Sequence, residues 1–243
     1  MSGIYIHIPY CMSKCFYCDF FSVSNLGNLE KYISALIREA EERKEYLHNK
    51  PVSSIYFGGG TPSLLSVEQI KKILESIYTH YILSDCLEIT IEANPDDISI
   101  SYYKDLLSAG INRLSIGLQS LNDTDLKLLN RRHSSTQALK AVTEAQDAGF
   151  KNISVDLMYG LPGLSLHGWE KNIQKVLALK VQHISAYHLS VEAGTVLSDL
   201  WHKGQIILPT DDDSLAQYKI LQQLTKEKGF IHYEISNFAL ENY

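Results

Sequence analysis

The sequence contains no apolar run approaching the roughly 18 residues that a membrane-spanning helix needs. It also has no block of basic residues. With 22 Lys+Arg against 28 Asp+Glu and a net charge of -6, it is a poor match for a protein held to nucleic acid by phosphate contacts. The start, Met1-Ser2-Gly3-Ile4-Tyr5, lacks the charged and apolar regions of a secretion signal. Gly3 stands one place too late for N-myristoylation, which needs glycine second. These absences make the cytoplasm the expected compartment. No linker rich in Pro, Gly or Ser divides the chain and no repeat is visible, so its 243 residues suit one large domain with at most a small appendage. A composition of 45% hydrophobic and 21% charged residues excludes a disordered chain.

Cysteine is scarce and unevenly placed. Of four, Cys11, Cys15 and Cys18 fall within eight residues and Cys86 stands alone. Disulfides inside so short a segment would close almost no loop, so a secreted disulfide framework is excluded. In a reducing compartment such a cluster reads as a metal or redox site.

Short β-rich runs alternate with helical patterns along the whole chain. Strands are expected at Gly3–Ile8, Ser53–Phe57, Leu87–Ala93, Arg113–Leu118, Ile153–Tyr159 and His183–Leu189, with Ile231–Ile235 as a further short one. Helices are expected at Asn28–Leu47, from the Ser66 cap to about Tyr81, and at Ile98–Ala109, Ser135–Ala148, Trp169–Leu179 and Ser214–Lys228. Glycines 110, 149 and 229 stop three of these helices. The alternation implies right-handed βαβ crossovers and a parallel α/β sheet, either open or curled into a complete or partial barrel. In each case ligands gather at the C-terminal ends of the strands.

The motifs obey that rule. Pro9-Tyr10-Cys11-Met12-Ser13-Lys14-Cys15-Phe16-Tyr17-Cys18 follows the first strand, and its C-x3-C-x2-C spacing lets three thiolates wrap one side of a cluster. Thiolates are soft ligands that suit iron–sulfur clusters and zinc. Because a [4Fe–4S] cube normally takes four cysteines, three would leave one iron open to a cofactor or substrate. Cys86 begins a later strand, at the wrong end to supply the fourth ligand. A zinc knuckle completed by His7 is the alternative.

Gly58-Gly59-Gly60-Thr61 follows the second strand and can bring backbone close to a ligand. Glu92, Gln119 and Asp156 end or nearly end later strands, and Arg131 and Arg132 follow a short helix after Gln119, placed to grip a carboxylate. Singly, each reads as a cap or loop residue. Together on one rim with three cysteines they read as a site. Trp169 and Trp201 read as packing aromatics, and His183 and His188 as residues beside the sixth strand that face either core or cavity.

Taken in order, IYIHIPYC, the cysteine loop, GGGTPS, EANP, GLQS, DLMYGLPG and HYEISNFA resemble the radical S-adenosylmethionine (SAM) superfamily over essentially the whole chain. Within it they resemble the branch of oxygen-independent coproporphyrinogen III oxidases and HemW-type haem chaperones. The resemblance implies a partial (β/α)6 TIM-like barrel over residues 1–235, with 236–243 opening a truncated C-terminal region. It implies a [4Fe–4S] cluster on Cys11, Cys15 and Cys18, with SAM chelating the open iron. Tyr5 would then lie near cluster and SAM, and Gly59, Gly60 and Thr61 near the SAM amino-acid end. Glu92, Gln119 and Asp156 would meet its ribose or amino group. Arg131 would meet its carboxylate, with Arg132 as the alternative one place on.

In family enzymes one electron from the cluster cleaves the S–C5′ bond of SAM, so an electron donor is an implied partner. The coproporphyrinogen oxidases carry a further cysteine two residues after the third, where this chain has Phe20. The resemblance therefore implies a haem chaperone, with haem as cargo for haem-accepting proteins, ahead of an enzyme of porphyrin biosynthesis. No catalytic residue is assigned, no nucleic-acid partner is expected, and peripheral membrane contact is left open.

Overall fold

A computed structural model describes residues 2–243. Six strands, β1 (Ser2–Ile8), β2 (Val52–Gly59), β3 (Leu83–Ala93), β4 (Arg113–Gln119), β5 (Ile153–Tyr159) and β6 (His183–His188), pair in parallel in chain order. Two short strands, β7 (Ile231–Glu234) and β8 (Asn237–Ala239), extend the sheet beyond β6 in the order β6-β8-β7. Both of these pairings are antiparallel, so the expected seventh strand enters as the far arm of a hairpin instead of as a crossover. Among the described residues nothing pairs β1 with β7, and the sheet remains a partial barrel.

The crossovers are α1 (Leu29–Glu42), α2 (Val67–His80), α3 (Ile100–Ser108), α4 (Asp123–Leu128), α5 (Ser135–Ala148), α6 (Leu166–Ala178), α7 (Val196–His202) and α8 (Asp211–Glu227). Local chemistry sets their limits. Ser66 and Gln69 form a reciprocal capping box at α2, as do Ser134 and Gln137 at α5. Gly149, left-handed at φ 118°, ends α5. The expected helix from Asn28 to Leu47 breaks at Arg43 into α1 and a short 3-10 turn. The last helix begins at Asp211, three residues before the expected Ser214, and Asp211, Asp212 and Asp213 form its first turn, where their charges complement the helix dipole.

The strands alternate. On β4, Leu114, Ile116 and Leu118 are fully buried against the helices, while Arg113, Ser115 and Gly117 face the concave side. On β5, Ile153, Val155 and Leu157 lie outward and Ser154, Asp156 and Met158 inward. On β6, Ile184 and Ala186 alternate with His183, Ser185 and Tyr187. The apolar core therefore occupies the layer between sheet and helices, anchored by fully buried Trp169, Tyr103, Phe57 and Phe150. Trp201, by contrast, is exposed. The inner face of the arc is polar and lines a cavity.

Candidate cofactor site

That cavity measures about 850 Å³, at the large end for a small-molecule site. Cys11, Cys15 and Cys18 form one wall, free of disulfides and partly exposed. Their loop is pinned by its backbone, not by its sulfurs. Val23 N donates to Pro9 O at 2.8 Å and Cys11 N to Val23 O at 3.1 Å. Phe16 N reaches Leu129 O at 3.1 Å, and Leu197 N from α7 reaches Phe16 O at 2.9 Å.

Thr61 Oγ1 lies 3.5 Å from Cys11 Sγ, and Arg131 Nη1 lies 3.6 Å from Cys15 Sγ, both as donors. Burial pushes the Cys18 thiol up, with Cys15 and Cys11 adding to the effect against the Phe20 N–H and Lys14. The Cys18 thiol therefore resists ionising by itself, and a bound cation would reverse that resistance. Among the described residues no three His, Cys, Asp or Glu side chains converge on one ion. His7, which the zinc alternative requires, accompanies Tyr5 (3.2 Å to its hydroxyl) and packs against Gly59, outside the cavity. The donor set is three soft sulfurs spread along one wall, an arrangement suited to a polynuclear cluster.

The glycine turn closes a second wall. Gly59 adopts φ 114°, and its N–H donates to Glu92 Oε2 at 3.1 Å. Gly60 N donates to Ile8 O at 2.8 Å, and a Cβ there would meet Tyr10 O at 2.6 Å, so this glycine serves the close passage of two chain segments. Tyr56 OH donates to the other Glu92 oxygen at 2.8 Å. Burial is the main cause that raises Glu92 to about 7, opposed by the Tyr56 hydrogen bond and reinforced by Asp156. Burial likewise raises Asp156, against hydrogen bonds from Ser115 and Ser185. Two buried acids with spare acceptor capacity suit hydroxyl or amino donors of a ligand.

Arg131 organises the rim. Nη2 donates to Asn94 Oδ1 at 2.6 Å and to Gly117 O at 2.7 Å, and Nε is buried with no partner within the described residues, a donor left for a ligand. A Cβ on Gly117 would stand 3.3 Å from this guanidinium, so the glycine makes its room. Arg132 turns the other way and pairs with Asp96 at 2.5 Å and with Asp97. Gln119, at φ 64° where β4 ends, also lines the cavity.

The cavity thus gathers Cys11, Cys15, Cys18, Gly59, Gly60, Thr61, Glu92, Gln119, Arg131 and Asp156. Tyr5 is not among its lining residues: it is 59% exposed and stacks on Tyr56 with ring centroids 6.0 Å apart. Sequence reasoning passed over Asn94, which links Arg131 to Thr61 Oγ1 at 3.3 Å. It also passed over Arg113, Ser115, Ser154 and Ser185, inward-facing on three strands. The signal for all four was the period-two polar pattern in RLSIGL, ISVDLMY and HISAYH.

The raised Glu92 has a consequence for stability. A folded-state value of about 7 against 4.5 means its stabilising contribution is full below about pH 4.5 and is lost as pH rises through about 7. Glu92→Gln, which never ionises, is therefore expected to be more stable than the parent apoprotein at pH 8, the margin vanishing towards pH 4.5. Urea midpoints measured across that range check it, and a parent advantage that grows with pH would show the burial argument wrong.

Residues 5–176 match the radical SAM superfamily. The chain is 39% identical to "Heme chaperone HemW" of Bacillus subtilis over 98% of its own length and 64% of that protein's. It is 36% identical to "Heme chaperone HemW" of Lactococcus lactis over 100% and 63%. Against "Radical S-adenosyl methionine domain-containing protein 1, mitochondrial" of Danio rerio it is 38% identical over 99% and 54%. It therefore spans between half and two thirds of the length of the curated relatives it matches. Among solved structures, the coproporphyrinogen III oxidase HemN of Escherichia coli superposes with a TM-score of 0.87 at 24% identity, over 99% of this chain and 56% of that one. At that identity the likeness shows the fold, a TM-score of this size over a curled sheet of six parallel strands. With its three-cysteine loop and polar cavity at the strand ends, this chain belongs to the radical SAM superfamily.

Proposed function

We propose that this chain is the cofactor-binding part of a haem chaperone of the HemW type, holding a [4Fe–4S] cluster on Cys11, Cys15 and Cys18 and SAM across the rim. The observation that carries the reading is the likeness, end to end along this chain, to two proteins named heme chaperone. Phe20, 68% exposed beside the cysteines where a further thiol would mark the oxidases, supports it. A bound cluster would supply one electron and an iron position open to SAM. The chain's own part is orientation. Arg131 Nε meets the SAM carboxylate, Glu92 and Asp156 accept from its ribose or amino group, and Gln119 and Thr61 complete the rim. Tyr5 acts through its stack on Tyr56. The partners are haem, haem-accepting proteins and an electron donor.

The test uses the natural full-length protein, loaded anaerobically with iron, sulfide and SAM, then titrated with haemin. A shifted Soret band that saturates is expected, with no protoporphyrinogen formed from coproporphyrinogen. No shift overturns the reading, and protoporphyrinogen formed with release of 5′-deoxyadenosine overturns it in favour of an oxidase.

A further inference from the structure

The rim residues occupy the upper part of the cavity, and the cavity runs deeper. Ser154 lies two residues below Asp156 on β5, about 7 Å at roughly 3.3 Å per residue. Arg113 lies four residues below Gly117 on β4, about 13 Å on the same rise. With His183 on β6 and Tyr233 on β7 these residues form a floor.

Arg113 is unusual there. Its side chain is 14% exposed, yet of the five N–H donors of a guanidinium it uses one within the chain, a long bond from Nη1 to Thr90 Oγ1 at 3.4 Å. The Glu88 carboxylate, itself 44% exposed, approaches no nearer than 3.8 Å. Its remaining N–H groups open onto the cavity, where Asp156 is the other charge that acts on it, so they are available to a ligand.

A second donor stands beside it. Ser154 Oγ lies 2.7 Å from His183 Nδ1, and Tyr233 OH lies 2.8 Å from His183 Nε2. Burial, then Arg113, lowers His183 to about 4, so the ring is neutral and has one N–H and one acceptor nitrogen. If Nδ1 holds the hydrogen, Ser154 accepts it and Tyr233 donates to Nε2, which frees the Ser154 hydroxyl hydrogen. If Nε2 holds it, the roles exchange and the Tyr233 hydrogen is free. In either tautomer one hydroxyl remains to donate into the cavity. The acids around the floor are Glu88, Glu234 and Asp156. Glu88 pairs loosely with Arg113, Glu234 accepts from Ser236 N and Asn237 Nδ2, and Asp156 is held by Ser115 and Ser185, its charge opposed by burial and favoured by Arg113.

We propose that this floor is a second ligand site, separate from the rim, that takes a carboxylate through a two-pronged hydrogen bond from Arg113 and one hydroxyl of the Ser154–His183–Tyr233 set. The carboxylate comes either from a free short organic acid or from an acidic side arm of a larger planar cargo. The free-acid source stands apart from the chaperone reading, whereas the side-arm source rests on it.

The cluster-loaded full-length protein, saturated with SAM so that Arg131 is covered, is titrated with glutarate by calorimetry and with haemin or haemin dimethyl ester by absorbance. Arg113→Gln is expected to weaken glutarate, haemin or both at least about tenfold while SAM affinity is unchanged, because the fork and the charge go together. Loss confined to glutarate identifies a free acid. Loss for haemin but not its ester identifies the side arm. Should Arg113→Gln not fold, Arg113→Lys gives the same reading at smaller amplitude. Glutarate and haemin both indifferent to Arg113 overturn the site, whereas glutarate binding with no haem binding leaves it standing and removes only the chaperone.

Discussion

Cys15→Ala is expected to abolish the sulfur-to-iron absorbance of the anaerobically reconstituted protein while moving its unfolding free energy by about 0.5 kcal/mol or less. The two outcomes separate because the sulfur and the loop backbone do different work. The loop is held by main-chain bonds from Cys11, Val23 and Phe16, none of which uses a thiol. Cys15 is partly exposed, and what it loses is a 3.6 Å contact from Arg131 and a hydrogen bond with Tyr17, both weak bonds to sulfur. Substitutions at such positions usually fall within about 0.5 kcal/mol. Cluster retention, in contrast, needs all three sulfurs, since the fourth iron already lacks a protein ligand in the proposed arrangement. Cys86→Ala supplies the control. Cys86 is exposed on β3 outside the cavity, and its loss should leave iron and sulfide content unchanged. Iron retained by Cys15→Ala, or lost by Cys86→Ala, would sink the ligand assignment, and a single zinc in place of iron would return the zinc alternative.

Much of this arrangement is legible in the sequence. The cysteine loop follows β1, and the glycine turn, Glu92 and Gln119 close β2, β3 and β4, so the rule that ligands gather at those ends brings them together; Asp156 joins them from the middle of β5. Helix α5 matched its expected limits because a capping box and a terminal glycine fix both ends locally. What stayed hidden depended on curvature. A polar residue at every second position reads the same whether it faces water or an enclosed cavity, so the pattern marks Arg113 and His183 as sharing the inward face without showing that they meet as a floor. The hairpin of β7 and β8 was obscured for another reason: its turn at Ile235-Ser236 contains no glycine, proline or asparagine. Nor could adjacent arginines be told apart. Asn130, left-handed at φ 57°, turns the chain so that Arg131 enters the cavity while Arg132 meets two aspartates at its edge.

That division gives the second large effect. Arg131→Ala is expected to cost about 2–4 kcal/mol of stability and to lower cluster retention, whereas Arg132→Ala should cost about 1 kcal/mol or less and leave the cluster intact. Removing Arg131 strands Asn94 Oδ1 and Gly117 O, which now accept bonds of 2.6 and 2.7 Å. Each unpaired buried acceptor costs about 1–3 kcal/mol, and release of the buried cation from its desolvation offsets part of the sum. The effect then passes to the sulfurs along two routes. Arg131 meets Cys15 directly, and it meets Cys11 through Asn94 and Thr61, in contacts of 3.3 and 3.5 Å. Arg132 has neither route: it is 35% exposed, and although its partners Asp96 and Asp97 are 13% and 7% exposed, they keep His133 and Asn94 as further partners when it is lost. Arg131→Lys is not expected to rescue, because one ammonium cannot span Asn94, Gly117 and Cys15 as a planar fork does. Urea unfolding of the apoproteins and iron content after reconstitution measure both halves, and a costlier loss at Arg132 than at Arg131 would mean that the rim is organised from the aspartate side.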